Sequence, residues 1–141
     1  MILRISAESG LLRVIATGEF SLEEAERTFL EILDAVALHK TEKILLDGRE
    51  LKGEPDTIER FLYGKFAAHA VVSDIREGVL PFAPQFAYVL QEPVLDPQRF
   101  GETVATNRGM WVKAFDNIED ALGWLTSTSS QARHSKASVT K

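Results

Sequence analysis

The chain contains no cysteine. This absence excludes disulfide bonds, thiol nucleophiles, cysteine-ligated zinc and iron–sulfur clusters. Short catalytic and phosphate-binding motifs are missing as well: the sequence has no Gly-x-Ser-x-Gly, no Gly-x-Gly-x-x-Gly and no Gly-Lys-Ser/Thr. The sequence therefore predicts no cofactor, no metal site and no catalytic residue.

Positive charge is also scarce. The chain has 16 Lys and Arg against 21 Asp and Glu, for a net charge of −5 and a pI of about 5.2. A chain of this charge is repelled by the phosphate backbone of nucleic acids and by anionic membrane surfaces. We therefore expect no nucleic-acid partner.

Long hydrophobic runs are absent. No apolar stretch approaches the roughly 18 residues that a transmembrane helix needs. Residues 1–6 also lack the charged start and the apolar run of a signal peptide. The sequence predicts a cytoplasmic protein without a transmembrane segment.

What is present fits one globular domain followed by a tail. A length of 141 residues with 45% hydrophobic and 26% charged residues is ordinary for a single folded unit. From Thr126 to Lys141 half of the residues are Ser or Thr, and Val139 is the one large apolar residue. Such a segment buries too little surface to offset its ordering entropy. We predict a domain over 1–125 and a disordered tail over 126–141.

Apolar periodicity and turn signals predict the element order β-β-α-β-α-β-α-β-α. The predicted strands are 1–6, 11–18, 43–47, 86–90 and 110–115; the predicted helices begin at Ser21, Asp56, Asp96–Pro97 and Asp116 and end near Leu38, Val72 or Ser73, Gly109 and Leu125. In the second helix an apolar stripe is formed by Ile58, Phe61, Leu62, Phe66 and Ala70. Strands that alternate with helices after a hairpin indicate an α/β fold with a mixed, mainly parallel sheet and helices packed against it.

Asp47 is the carboxylate with the strongest claim to a functional role. It ends the predicted buried strand directly before Gly48, and Arg49 follows two residues later. Ligands and partners of open α/β sheets dock beyond the carboxyl ends of the strands. The alternative is that Asp47 pairs with Arg49 or with loop amides and only stabilises the turn.

An apolar loop between the second helix and the fourth strand is the other candidate surface. Val79, Leu80 and Phe82 lie in it beside two prolines. Exposed apolar area of this size is typical of a lid over a pocket or of an interaction site. The alternative is that the loop packs over the sheet edge.

The three histidines, His39, His69 and His134, are the remaining candidates for acid–base chemistry. No two of them share a metal-ligand spacing, and none lies in a carboxylate-rich pattern. We expect structural roles for all three.

The element order and two segments resemble the STAS-like domains of the anti-sigma-factor antagonist type, especially their divergent SpoIIAA-like group. In those domains a central strand ends in Asp, a short loop follows, and an Asp-Ser-Ser-Gly motif opens the next helix; residues 43–47, 50–53 and 55–58 correspond to these parts. The closing segment 112–125, with its acidic cap and Ala-Leu-Gly-Trp-Leu, is also similar. The resemblance implies a regulatory protein-interaction module without catalysis. Its contact residues would be Asp47, Arg49, Asp56 and Thr57.

One departure from that family pattern changes the expected regulation. The family's phosphorylated serine falls on Asp56, with Thr57 beside it. A serine kinase cannot modify Asp, so the resemblance does not extend to a serine phospho-switch; Asp56 either carries a permanent charge or is only a helix N-cap.

Two other functions remain open. The SpoIIAA-like group is similar in fold to the CRAL-TRIO lipid-binding domains, so a small apolar ligand bound under the Val79–Pro84 loop is the first alternative. An enzyme that uses Asp47 or a neighbouring carboxylate ranks last. A homodimer is compatible with all of these functions.

Overall fold

Strands and helices alternate after an opening hairpin in the computed structural model, which describes residues 1–127. The strands are β1 (Ile2–Glu8), β2 (Leu11–Glu19), β3 (Lys43–Lys52), β4 (Gln85–Leu90) and β5 (Trp111–Phe115). The helices are α1 (Leu22–His39), α2 (Thr57–Arg76), α3 (Phe100–Asn107) and α4 (Ile118–Ser127). The predicted order of elements is confirmed. Of the predicted tail, Thr126 and Ser127 belong to α4, and the rest lies outside the described residues.

The five strands form one sheet in the order β1-β2-β3-β4-β5. β1 and β2 pair antiparallel, and the β2–β3, β3–β4 and β4–β5 pairs are parallel. Each parallel pair is joined through a helix, because a parallel connection must return to the starting edge of the sheet. The predicted α/β class with a mixed, mainly parallel sheet is therefore confirmed.

Alternate residues of each strand point to opposite faces of the sheet. On the first, the α1–α3 face, buried strand residues pack with α1, α2 and α3 in the larger core; these strand residues are Leu12, Val14, Ile44, Leu46, Phe86 and Tyr88. On the second, the α4 face, a smaller cluster contains Leu45, Ala87, Val89, Ala121 and Leu125. β3 and β4 carry buried residues on both faces, which explains their continuous apolar sequences.

Two of the predicted helix starts are capped by side chains. The Ser21 hydroxyl accepts a hydrogen bond from the Glu24 amide at 3.2 Å and caps α1. Asp56 and Glu59 form a complete capping box at α2, with side-chain-to-amide bonds of 2.8 and 3.0 Å. Such caps satisfy amide groups that have no partner within the helix.

The start of α3 was predicted wrongly. Asp96 does not begin the helix, which starts at Phe100 after Arg99 in a left-handed conformation (φ 56°). The Asp96 carboxylate instead accepts hydrogen bonds from the amides of Gln98 (3.1 Å) and Phe100 (2.9 Å). An Asp-Pro pair supports this turn as readily as a helix start, because the side chain binds its own following amides in both.

Two elements extend three or more residues beyond their predicted ends. β3 continues through Lys52 instead of ending at Asp47, and α2 continues to Arg76 instead of ending near Ser73. The continuation of β3 is stabilised by β2, since Glu50, Leu51 and Lys52 pair with residues 17–19. The β2 residues that pair with this segment are distant in the sequence, so the local composition of β3 does not indicate the longer strand.

α2 and α3 approach closely at a glycine. A Cβ placed on Gly64 would lie 2.7 Å from the carbonyl oxygen of Gly101 and 3.3 Å from the Val104 Cβ. The first contact is with backbone, which cannot move aside without moving α3. The missing side chain of Gly64 therefore sets the separation of the two helices.

We predict that Gly64→Ala destabilises the protein by about 1–3 kcal/mol, because the added methyl group overpacks the α2–α3 contact. Gly123→Ala is the matched control. It is also a helical glycine, but a Cβ there meets nothing within 4 Å. It should stabilise the protein by about 0.5–1 kcal/mol through helix propensity. Urea unfolding of both variants checks the pair; equal effects of the same sign would contradict the packing argument.

Candidate functional site

Asp47 and Arg49 form a two-point ion pair. The Arg49 Nε donates to Asp47 Oδ1 and its Nη2 donates to Oδ2, both at 2.9 Å, and the Arg49 amide donates to Oδ1 at 3.2 Å. These hydrogen bonds hold the pKa of the Asp47 carboxyl below its ordinary value, although burial acts in the opposite direction. Asp47 is therefore ionised and oriented by Arg49. A general acid needs a raised pKa, whereas the pKa of Asp47 is lowered.

Asp47 lies within β3 and not at its end, which corrects the predicted position. It is buried, with 9% of its surface exposed, and its neighbours in the sheet are Ile15 of β2 and Val89 of β4. Val89 belongs to the α4-face cluster, so Asp47 and Arg49 lie on that face. The pairing with Arg49 that the alternative expected is present, but it lies within the strand and not in a turn.

An extra residue in β3 follows Asp47 directly. From Ile15 to Thr17 β2 advances two residues, while β3 advances three, from Asp47 to Glu50. Such a β-bulge reverses the alternation of faces for the residues after it. Leu51 consequently points to the α1–α3 face, whereas without the bulge it would share the face of Asp47.

Gly48 lies at the start of this bulge and leaves space for two leucines. A Cβ on Gly48 would lie 2.7 Å from Leu90 Cδ2 and 2.9 Å from Leu51 Cδ1. The absence of a side chain therefore lets the ends of β3 and β4 bring these leucines together on the α1–α3 face.

Asp56 and Thr57 lie away from the Asp47–Arg49 pair. Both are exposed at the start of α2, and Asp56 is the N-cap described above. α2 buries Ala67, Ala68 and Val71 in the core of the α1–α3 face. The four predicted contact residues therefore form two separate pairs, one on each face of the sheet.

The apolar loop after α2 does not act as one exposed unit. Leu80 is 1% exposed and belongs to the larger core, Phe82 is half-buried against it, and Val79 is 49% exposed. The burial of Leu80 supports the alternative in which the loop packs over the sheet edge. Only Val79 retains the exposure expected of an interface residue.

A mainly apolar cavity of about 150 Å³ lies on the α1–α3 face, and sequence reasoning missed its position. Its apolar lining includes Leu3, Ala16, Phe20, Ile32, Leu46, Leu51, Leu90, Val94, Leu95, Val112 and Ala114. Leu51 and Leu90 come from the carboxyl-terminal parts of β3 and β4. None of the lining residues belongs to 79–84, so the loop predicted as a lid does not cover this cavity.

Two tyrosine hydroxyls lie at this cavity. Tyr63 of α2 and Tyr88 of β4 both line it, and their hydroxyl oxygens are 2.7 Å apart. Burial raises the pKa of both phenols far above the ordinary value, so both are neutral at physiological pH. They are hydrogen-bond donors and acceptors in a cavity whose lining is mainly apolar.

The two arginine side chains at the cavity donate hydrogen bonds to the segment before α3. The Arg60 guanidinium donates to the carbonyl oxygens of Val94 and Pro93, both at 2.8 Å. Arg99 donates to the carbonyl oxygens of Asp96 (3.0 Å) and Ala114 (3.3 Å). These bonds fasten residues 93–99 along the edge of the cavity, where the half-buried arginines reach solvent.

The outer face of α2 is a third feature. We use this name for Ile58, Leu62, Lys65, His69, Val72 and Arg76, which recur every three or four residues along one side of the helix. Ile58 is 67% and Leu62 38% exposed, so the apolar stripe predicted for α2 lies only partly against the core. A shallow groove along this face is also lined by Phe66 and Arg108.

Of the three histidines, only His69 lies at one of these features, the outer face of α2. His39 is exposed at the end of α1, and His69 Nε2 lies 3.5 Å from the Ser73 hydroxyl on α2. His134 lies outside the described residues. Within residues 1–127 no cluster of three or more potential metal ligands is present, and no helix there is long and apolar enough to cross a membrane.

We predict that Asp47→Asn lowers the stability of the protein at neutral pH but not in acid. Because the pKa of Asp47 is depressed in the folded state, its contribution is complete above the ordinary value of 3.8 and is lost as the pH falls through the folded-state pKa. Thermal unfolding of both proteins between pH 7 and about pH 2 measures this. The two melting temperatures should differ at pH 7 and converge in acid; a constant difference would contradict an ionic role.

Comparison with known proteins supports the fold. No family model and no curated protein matches the chain. The crystal structure of an anti-sigma factor antagonist from Mycobacterium paratuberculosis is similar, with a TM-score of 0.55 and 13% sequence identity over 89% of this chain and 93% of that chain. The resemblance inferred from the sequence is thereby confirmed at the level of the fold, which this chain shares with an anti-sigma factor antagonist.

Proposed function

We propose that the protein is a non-catalytic regulatory module that acts by binding another protein along the outer face of α2. The observation that carries this proposal is the exposure of Ile58 and Leu62 on one side of a helix whose other side is in the core. Adjacent large apolar side chains on a solvent-facing helix surface are typical of interaction sites.

The shared fold supports a protein partner. The similar structure is described as an anti-sigma factor antagonist, a name that denotes action on another protein. Fold alone does not determine function, so the assignment depends on the surface that this chain presents. By the same analogy we propose a bacterial, cytoplasmic setting.

Charge on the outer face of α2 defines the chemistry of the proposed partner. Lys65, Arg76 and Arg108 line the groove beside apolar Leu62 and Val72, and Glu26 is the one acidic residue of its lining, so the cations outnumber the carboxylates there. Arg108 and Lys65 also lie over the Phe61 ring, at 5.3 and 5.9 Å from its centre. A local positive surface on an acidic chain favours an acidic partner segment. We propose that the partner presents a helix with apolar residues on one side and carboxylates beside them.

Asp56 and Thr57 extend this surface at the start of α2. In the proposal the Asp56 carboxylate is a permanent negative charge at the helix N-terminus, which the helix dipole favours, and no serine phospho-switch operates. Thr57 is an exposed contact next to Ile58. Arg49, oriented by Asp47, is a separate candidate contact on the α4 face, where 47% of its side chain is exposed.

We predict that Ile58→Glu abolishes partner recovery while leaving the fold intact. Wild-type and variant proteins would be immobilised and exposed to a native lysate of the source organism, and retained proteins quantified by mass spectrometry. At least one protein should be retained about tenfold less by Ile58→Glu and by Leu62→Glu, since a charge replaces a central apolar contact.

Ile2→Glu is the matched control. Ile2 is 68% exposed, against 67% for Ile58, but it lies on the edge strand β1. It should retain the partner as wild type does. Loss of the partner with Ile2→Glu and not with Ile58→Glu would contradict the proposal and favour the sheet edge. Loss of the partner with Val79→Glu and not with Ile58→Glu would also contradict the proposal and would favour the loop after α2.

The charge and the capping role of Asp56 can be separated. We predict that Asp56→Ala lowers stability by about 1 kcal/mol, because the Glu59 amide loses its acceptor, whereas Asp56→Ser keeps a capping oxygen and changes stability by less. Partner recovery should fall with both variants if the carboxylate is a contact. Chemical denaturation measures the first effect and the retention assay the second. Full retention by Asp56→Ser would leave Asp56 as a cap only.

A further inference from the structure

The cavity on the α1–α3 face is separate from the proposed protein-binding surface. Tyr63 lines it, whereas the adjacent Leu62 lines the outer groove of α2. Side chains one residue apart on a helix point about 100° apart, so α2 forms a wall between the two sites. The cavity therefore requires its own explanation.

The Tyr63–Tyr88 pair leaves one proton without a protein acceptor. Each phenol has one O–H, and the 2.7 Å contact between the oxygens uses only one of the two. Within residues 1–127 neither hydroxyl has another hydrogen-bond partner. Either tyrosine can be the one whose O–H remains; Tyr88 is 9% exposed and Tyr63 is half-buried, so this O–H has little access to bulk solvent. A buried donor in this state favours a bound acceptor.

We propose that this cavity binds a small, neutral, mainly apolar molecule whose single hydrogen-bond acceptor, such as a carbonyl oxygen, meets the Tyr63–Tyr88 hydroxyl pair. The apolar lining accounts for the body of the ligand, and the unshared proton accounts for its acceptor. A cavity of about 150 Å³ has room for a ring of benzene size.

The charges around the cavity favour a neutral ligand. The arginine side chains that line it, Arg60 and Arg99, already donate to the carbonyl oxygens of residues 93–96 and Ala114. Three carboxylates, Glu59, Asp96 and Glu102, also line the cavity. The two guanidinium groups stay positively charged, but three carboxylates lie beside them, and the Met1 ammonium group at the lining is paired with Glu24. An anionic ligand would therefore lose its hydration without meeting a net positive charge.

Two probes of nearly equal shape test the proposal. Cyclohexanone carries a carbonyl oxygen, and methylenecyclohexane replaces it with a carbon that accepts no hydrogen bond. Titration of each into the ¹⁵N-labelled protein, followed by amide chemical shifts, gives both dissociation constants. Saturable shifts around the cavity are expected with each probe.

The variants separate the acceptor from the shape of the cavity. Tyr63→Phe/Tyr88→Phe removes both donors, so the affinity for cyclohexanone should fall about three- to tenfold while that for methylenecyclohexane stays within about twofold. Each single Tyr→Phe variant keeps one hydroxyl whose proton is free, and should retain cyclohexanone binding. Ala114→Leu adds volume to the lining and should abolish both interactions.

Three outcomes would overturn the proposal. The absence of saturable shifts with either probe in the folded wild-type protein would exclude binding in the cavity. Equal weakening of both probes in the double variant would show that the hydroxyls only shape the cavity. Retained binding by folded Ala114→Leu would place the probes elsewhere; should this variant fail to fold, Val112→Leu, which changes another lining residue, serves instead. None of these results bears on partner binding by the outer face of α2.

Discussion

The extra residue in β3 is the constraint on which both sides of the sheet depend. Before it, Asp47 points to the α4 face, where Arg49 closes the ion pair; after it, Leu51 points to the opposite face and lines the cavity. A regular strand would place Asp47 and Leu51 on the same face. Gly48 makes the irregularity compatible with packing, because a Cβ there would collide with Leu51 and Leu90. The bulge thus places the Asp47–Arg49 ion pair on one face of the sheet and the apolar Leu51 side chain on the other.

The unequal distribution of helices explains why the cavity lies on the α1–α3 face. Only α4 contributes to the smaller cluster, whereas three helices of different lengths cover the larger core. α3 begins only at Phe100, and the preceding turn, fastened by Asp96, Arg60 and Arg99, takes the place of its first residues. Because α3 is much shorter than the 20-residue α2 beside it, the helices cover the carboxyl ends of β3 and β4 less completely. In parallel sheets this end is where ligands bind.

Local chemistry was sufficient to predict the order of the elements but not the candidate sites. Ser21 and the Asp56–Glu59 pair cap helices through residues a few positions apart, so the sequence displays the signal directly. The bulge and the Tyr63–Tyr88 contact arise from pairing between distant segments, which no window of the sequence contains. The outer face of α2 was missed for another reason. Small residues of α2, including Gly64, form much of its core side, and Ile58 and Leu62 were wrongly assigned to that side.

α2 is the element that both proposed sites share. Successive residues, Leu62 and Tyr63, belong to the outer groove and to the cavity, and Gly64 then holds the same turn against the backbone of α3. A ligand that shifts Tyr63 would move this turn as a unit, since packed helices move by small displacements and not by bending of single residues. If both proposals hold, any change in partner affinity caused by the ligand has a thermodynamic counterpart: the partner changes ligand affinity by the same factor. The Gly64 contact would limit the size of this mutual change in affinity, because a turn fixed against α3 has little freedom to move.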